Sequence, residues 1–368
     1  MLLKGNKCLI VKVIVIMAAV LLLAGQSIGA AHAQEEPSQP AITLNQAIAM
    51  ALDESKTLTK AANQIEMNEN LYEDAVDNLD FIPTAPGTAV VESAYAQTVS
   101  ANLTWQISQR SLTAEQDKTV LDTCNKYWAV LNAQAKTDLA QANLDYARVQ
   151  LINAQASQRV GMLANSDLIA AEAQLGTAQA SLAAAQNDLA GAYVALNQKI
   201  GLWPEERPLL VDTVAYAPLE VDSMTHEVAR VLSNAPAVWQ AEQAVSMQNI
   251  LQKMAFYSGS YTSYENRKLA VEDAELDAAT TKQTFEKLTH DIYNNIISLE
   301  ESYAAALQGE KVASENYRVK ELQFQLGMVT QADLIGAKKD LLTAENNLFG
   351  LTCQHAYLKL TFEKPWAA

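Results

Sequence analysis

Past residue 33 the chain holds three histidines, His226, His290 and His355, and two cysteines, Cys124 and Cys353. These side chains bind transition metals or act as nucleophiles. Their placement suits neither use. The histidines stand on three separate predicted helices, each better read as an ordinary surface or core residue. No G-x-S-x-G, H-E-x-x-H, P-loop or dinucleotide-binding glycine pattern is present. The sequence therefore predicts no enzyme, no metal and no cofactor. Two readings stand for Cys124 and Cys353: a disulfide in an oxidising compartment, or two inert, partly buried thiols.

The acidic residues are more informative. Asp167 and Asp333 fall at matching places in GMLANSDLIAAEAQL (161–175) and GMVTQADLIGAKKDL (327–341). At that offset of 166 residues Gly161/Gly327, Met162/Met328, Leu168/Leu334 and Ile169/Ile335 are also identical. An Asp just inside a helix start offers its carboxylate to free backbone N–H groups, and Thr330 with Asp333 fits a capping box. Gly161 and Gly327 suit helix ends, where positive φ is needed. Each element is thus a glycine turn followed by a capped helix, stated twice.

The elements around these turns are long. From Ser108 to Val160 there is neither proline nor glycine, and Ala, Gln and Leu dominate. That predicts a helix of about 50 residues, roughly 75 Å long. Asn165 or Ser166 is expected to cap the next helix, which runs to about Lys199. In it Leu168, Leu175, Leu182, Leu189 and Leu196 recur every seven residues, as do Ala171, Ala178, Ala185 and Ala192. This is a heptad seam of alternating large and small side chains.

Upstream, Thr43 is expected to cap a helix running to about Leu79, which Pro83, Pro86 and Gly87 then end. Residues 88–107 are rich in Val, Thr and Tyr and partly alternate, so one or two short strands are predicted there. Residues 203–222 carry Pro204, Pro208 and Pro218 and read as an extended connector with one short strand at most. The pattern then restarts: SMTHEVARVLSNAPAV (223–238) resembles TLNQAIAMALDESKTL (43–58) at an offset of 180. A long helix over about 265–326 and a last one over about 331–362 complete the second copy.

The fold class expected is mainly α: tandem-duplicated, long antiparallel helical hairpins with a small β portion. Its divisions are 1–33, 34–202 for the first repeat, 203–222 for the connector and 223–368 for the second repeat. Residues 1–33 read as an export signal. Lys4, Lys7 and Lys12 precede an apolar run from Val13 to Leu23, with a small-x-small cleavage site at Ala31-His32-Ala33. Gln26 follows Leu22–Gly25 where a lipoprotein signal has cysteine, so no lipid anchor is expected. Loss of those three lysines lowers the formal net charge from −16 to −19. That balance repels phosphate backbones, and no nucleic-acid partner is expected.

A helix about 75 Å long outruns a small globule. Aromatics are 7% of the chain and many core candidates are alanine, so each hairpin buries little apolar area. Lateral association is the physical remedy.

The tandem repeat, the LNQAIAMAL opening helix, the two G-x5-D-L-I-x-A segments and the Leu/Ala heptads together resemble the TolC-type outer membrane efflux protein family over about residues 42–362. The resemblance implies a homotrimeric, twelve-helix tube continued by a twelve-stranded β-barrel in the outer membrane. It also implies a periplasmic adaptor protein at the glycine turns and, beyond it, an inner-membrane pump. Carried over, Gly161, Met162 and Leu163, with Gly327, Met328 and Val329, become adaptor-contact positions. Asp167 and Asp333 become constriction residues, a role weighed against capping. Phe324, Val329 and Gly336 leave other gate positions without ionisable groups. The resemblance falters at the barrel. A spanning strand takes about 9–11 residues, and residues 88–107 and 255–267 are too short for two hairpins. The alternative class is a coiled-coil envelope scaffold without transport.

Overall fold

The computed structural model describes residues 41–79, 89–254 and 264–367. The first repeat comprises β1 (Ala41–Ile42), α1 (Leu44–Glu54), α2 (Lys56–Asp77), α3 (Ala89–Arg159) and α4 (Asn165–Ile200). After β2 (Leu209–Leu210) the second holds α5 (Met224–Asn234), α6 (Pro236–Met254), α7 (Tyr264–Gln325) and α8 (Gln331–Glu363), closed by a 3-10 turn at Pro365–Ala367.

The expected continuous helix from Thr43 is broken. Thr43 does cap it: its hydroxyl accepts from the Gln46 N–H at 3.2 Å while Gln46 Oε1 accepts from the Thr43 N–H at 2.9 Å. Ser55, however, turns extended at φ −70°, ψ 104°, and its hydroxyl starts α2 by accepting from the Leu58 N–H. The matching break 180 residues on uses other chemistry. Pro236 begins α6, and a proline pushes the residue before it out of helix; Ala235 is accordingly extended at φ −64°, ψ 119°.

The larger correction concerns residues 88–107. From Ala89 onward they are helical, and α3 runs unbroken for 71 residues, about 105 Å at 1.5 Å per residue. Strand preference of Val, Thr and Tyr is a context-dependent effect of ~1 kcal/mol. Packing overrides it here. Trp105 stacks on Tyr72 of α2 at 5.6 Å, and the Thr98 hydroxyl donates to the Ala75 carbonyl at 2.9 Å. The expectation for residues 255–263 lies outside the described residues, as does the export signal.

Two long struts organise the protein. The N-terminal part of α3 packs on α2 and α6, where Arg110 lies 4.3 Å over the Trp239 ring. Its C-terminal part packs on α4 and α8, where Lys339 lies 5.0 Å from the Tyr146 ring. Strut α7 pairs likewise with α6 and then α8. The helices thus form an open layer, ordered α2-α3-α6-α7 at one end and α4-α3-α8-α7 at the other. Among the described residues no comparable packing joins α4 or α2 to α7.

The densest core lies midway along the struts. Tyr127, Val130, Leu196 and Ile200 are almost fully buried there with Ala47 and Ala51. The connector is tied into it. Strand β2 pairs in parallel with β1, Ala41 opposite Leu209 and Ile42 opposite Leu210. The buried Tyr127 hydroxyl donates to the Ile42 carbonyl at 3.0 Å and accepts from the Asp212 N–H at 3.2 Å. Cys124 and Cys353 sit in this core as free thiols, each pushed up to about 11 by burial. That makes them inert at neutral pH.

A second tie binds the connector to the other repeat. Glu300 on α7 accepts from the Leu219 N–H at 2.7 Å and lies 2.9 Å from Nε2 of the buried His355. Tyr216 stacks on Tyr303 at 3.7 Å, and Lys359 donates to the Ala217 carbonyl at 2.8 Å. His226 and His290 are exposed. Among the described residues no cluster of His, Cys, Asp and Glu could hold a metal.

The heptad seam of α4 reads directly in its burial. Leu168, Ala171, Leu175, Ala178, Leu182 and Ala185 are half-buried, while every other residue from Asn165 to Asp188 is exposed. One narrow stripe faces α3, and the rest of this edge helix is bare.

Candidate functional site: the two glycine turns

Strut α3 ends at Gly161 and strut α7 at Gly327, and the backbone does the same thing at both. The Met162 N–H donates to the Ser157 carbonyl and the Gly161 N–H to the Gln158 carbonyl, both at 2.9 Å. In the second turn the Met328 N–H donates to Gln323 at 2.8 Å and the Gly327 N–H to Phe324 at 2.9 Å. This paired 6→1 and 5→2 pattern is a Schellman motif, which satisfies carbonyls left free at a helix end. It requires a left-handed residue, and Gly161 and Gly327 have φ of 74° and 69°. A Cβ at either would meet nothing within 4 Å. Glycine is needed there for its dihedral, not for space.

The motif throws apolar side chains outward. Met162 is 82% exposed and Met328 70%. The residues before the glycines are equally bare, Val160 at 69% and Leu326 at 75%. Sequence reasoning named the methionines but passed over Val160 and Leu326. The signal was available: they also match at the 166-residue offset, and both are apolar where a solvated helix end favours polar residues. Leu163 and Val329 turn partly inward, so of each expected contact triplet the first two positions face out.

The helices leaving the turns start differently. Thr330 and Asp333 form the capping box read from the sequence. Asp333 Oδ2 accepts from the Thr330 hydroxyl at 2.7 Å and from its N–H at 2.9 Å. These hydrogen bonds, with a smaller contribution from Lys320, hold the Asp333 carboxyl below the usual aspartate range. In the first turn neither Asn165 nor Ser166 is the cap, contrary to expectation. Ala164 occupies that place and has no side chain to offer. Asn165 instead accepts from the Gln158 amide at 3.3 Å, across the turn. Asp167 stands exposed in the first turn of α4, where its charge favours the helix start through the dipole.

So the geometry has a pair of blunt, apolar, equivalent knobs at one end of an open layer of helices about 100 Å long, whose free edges α4 and α7 end at these same turns. Solved structures with a similar trace are bacterial outer membrane channels and an outer membrane protein. The chain matches the CmeC outer membrane channel of Campylobacter jejuni with a TM-score of 0.66 at 13% identity, covering 95% of this chain and 94% of that one. The protein has the TolC-type fold. VceC, an outer membrane protein of Vibrio cholerae, gives 0.63 at 14% identity over 88% of this chain and 95% of its own. The open-state MtrE channel of Neisseria gonorrhoeae gives 0.59 at 17% identity, covering 88% and 89%. No protein-family model matches the sequence, and no curated protein matches it. At these identities the likeness carries the TolC-type fold, and the turn residues must speak for themselves.

Proposed function

We propose that the chain is one protomer of a passive efflux duct of the cell envelope, closed as a homotrimer on the outer-membrane side. Its glycine turns dock a periplasmic adaptor protein that links the duct to an inner-membrane pump. The observation that carries the reading is the exposure of Met162 and Met328 on identical Schellman turns. A Schellman turn often carries an apolar residue at this place, packed back on its own helix, whereas both methionines here stand largely in water. Two such knobs per chain suit a partner that presents repeated apolar sockets.

Closure into a ring follows from the free edges. Edge helix α2 exposes Met67 and Leu71, and edge helix α7 exposes Leu269, Leu276 and Val312. Two different edges of one open layer, each with apolar residues in water, pair head-to-tail, and such contacts close into rings when the rotation permits. The duct does no chemistry; energy comes from the pump. In the closed tube Asp167 and Asp333 stand near the narrow end as constriction residues. Asp333 is committed to its cap, which leaves Asp167 as the freer carboxylate.

The test is assembly. The processed protein should run as a trimer with a stain-filled lumen by electron microscopy. Replacing Met162 and Met328 together by Asp should abolish adaptor capture without changing the trimer. A filled rod instead of a lumen would favour the envelope scaffold, and unchanged capture by the double variant would remove the knobs from the docking site.

A further inference from the structure

The end of the layer opposite the glycine turns is built from the C-termini of α2 and α6 and the N-termini of α3 and α7. Two short links close it. Helix α2 ends at Asp77 and α3 begins at Ala89, leaving residues 78–88; α6 ends at Met254 and α7 begins at Tyr264, leaving residues 255–263. A strand that crosses a bilayer takes about 9–11 residues, so a spanning hairpin with a two-residue turn takes about 20. Neither link is long enough for one. The stretch that offered strand-forming residues, 89–107, is already committed to α3 and its packing on α2.

Charge gives a second, independent reason. After Lys60, helix α2 carries Glu66, Glu69, Glu73, Asp74 and Asp77 and no base, all five exposed. The start of α7, at the other edge of the layer, adds exposed Glu265, Glu272, Asp273, Glu275 and Asp277 against Arg267 and Lys268. From Glu66 to the end of α2 and from Tyr264 to Asp277 the helices rise about 15–20 Å, and over that length each carries an excess of carboxylates. Ionised side chains at that density are not placed in hydrocarbon, where each must be paired or neutralised. Nor does an acidic excess of this kind lean on an anionic headgroup surface.

We infer that this end stays in water: the chain forms the periplasmic stretch of a duct but makes no membrane-spanning β-barrel of its own. The inference deepens the duct reading and rests on it for the duct and its compartment, while the missing barrel rests on the length of the links and the charge of this end. Passage through the outer membrane then falls to a separate pore-forming component.

Planar-bilayer conductance tests it. The processed protein is incorporated into vesicles of phosphatidylethanolamine, phosphatidylglycerol and cardiolipin, which are fused to the bilayer beside a bacterial porin as control. The expected result is no stable conductance step where the porin gives them. Stable, protein-dependent steps would overturn the inference. The oligomer is measured separately by mass and electron microscopy, which keeps the two readings apart. A hollow trimer without conductance supports both. A hollow trimer that conducts overturns the inference alone. A lone monomer without conductance overturns the duct and leaves standing only that the chain makes no spanning barrel.

Discussion

The two glycine turns share a backbone and differ in how firmly the next helix is started. At the first, Ala164 leaves the N-terminus of α4 without a side-chain cap, and the turn is bridged only by the Gln158–Asn165 contact. At the second, Thr330 and Asp333 satisfy each other's free groups. A duplicated element has therefore kept the feature that shapes the knob, the left-handed glycine, and let the cap diverge. The knob is common to both copies, whereas the side-chain cap belongs to the second.

The strongest way to break the likeness is at the glycines. Gly161→Val and Gly327→Val each force a β-branched residue to φ near +70°, at a cost of about 2 kcal/mol or more. Both should lower the denaturation midpoint and by similar amounts, since neither site adds a clash of its own. Unequal losses would show that the turns are not equivalent.

The caps give the next largest effect, and here the two should part. Thr330→Ala should cost about 1 kcal/mol, and Ala164→Ser should gain up to about 1 kcal/mol by supplying the missing cap. Amide hydrogen exchange over residues 165–169 and 331–335 reads both locally. Before mutation the first segment should exchange faster.

Acid should erase the difference. The folded-state carboxyl of Asp333 is held low by its hydrogen bonds to Thr330. Its contribution is therefore complete above the unfolded aspartate value, about 4, and is lost as pH falls through the lower folded value. Exchange protection of residues 331–335 should fall toward that of 165–169 over that range. An Asp333→Asn variant should start lower and lose the pH response.

The smallest stability effect belongs to the methionines. Met162→Ala and Met328→Ala remove side chains that touch little, so each should shift stability by less than about 0.5 kcal/mol. Adaptor capture should weaken all the same, and a larger stability loss would place these residues in the packing rather than on a docking face.

A comparable contrast runs along the struts. Much of the turn end was legible because its determinants are local: a glycine at positive φ, a threonine with an aspartate three residues on, a seven-residue seam. The opposite end was misread. Residues 88–107 have the composition of strands, but from Ala89 they are helix packed on α2, with Trp105 on Tyr72 and Thr98 bonded to Ala75. The break at Ser55 was equally hidden, since a serine within a helical pattern is tolerated until the next element asks the chain to bend. Asn165 and Ser166 looked like caps by type; the backbone placed the cap one residue earlier, on Ala164.

The sequence by itself determined the duplication, the two left-handed glycines, the Thr330–Asp333 cap and the heptad seam of α4. Each follows from chemistry contained within a few residues, where no distant partner can change the answer. Tertiary structure decided that α3 extends to Ala89, that Cys124 and Cys353 remain separate thiols in one core, and that the connector is tied to both repeats through Tyr127 and Glu300. In those places the local preferences amount to ~1 kcal/mol or less, and contacts between residues far apart in the chain outweigh them.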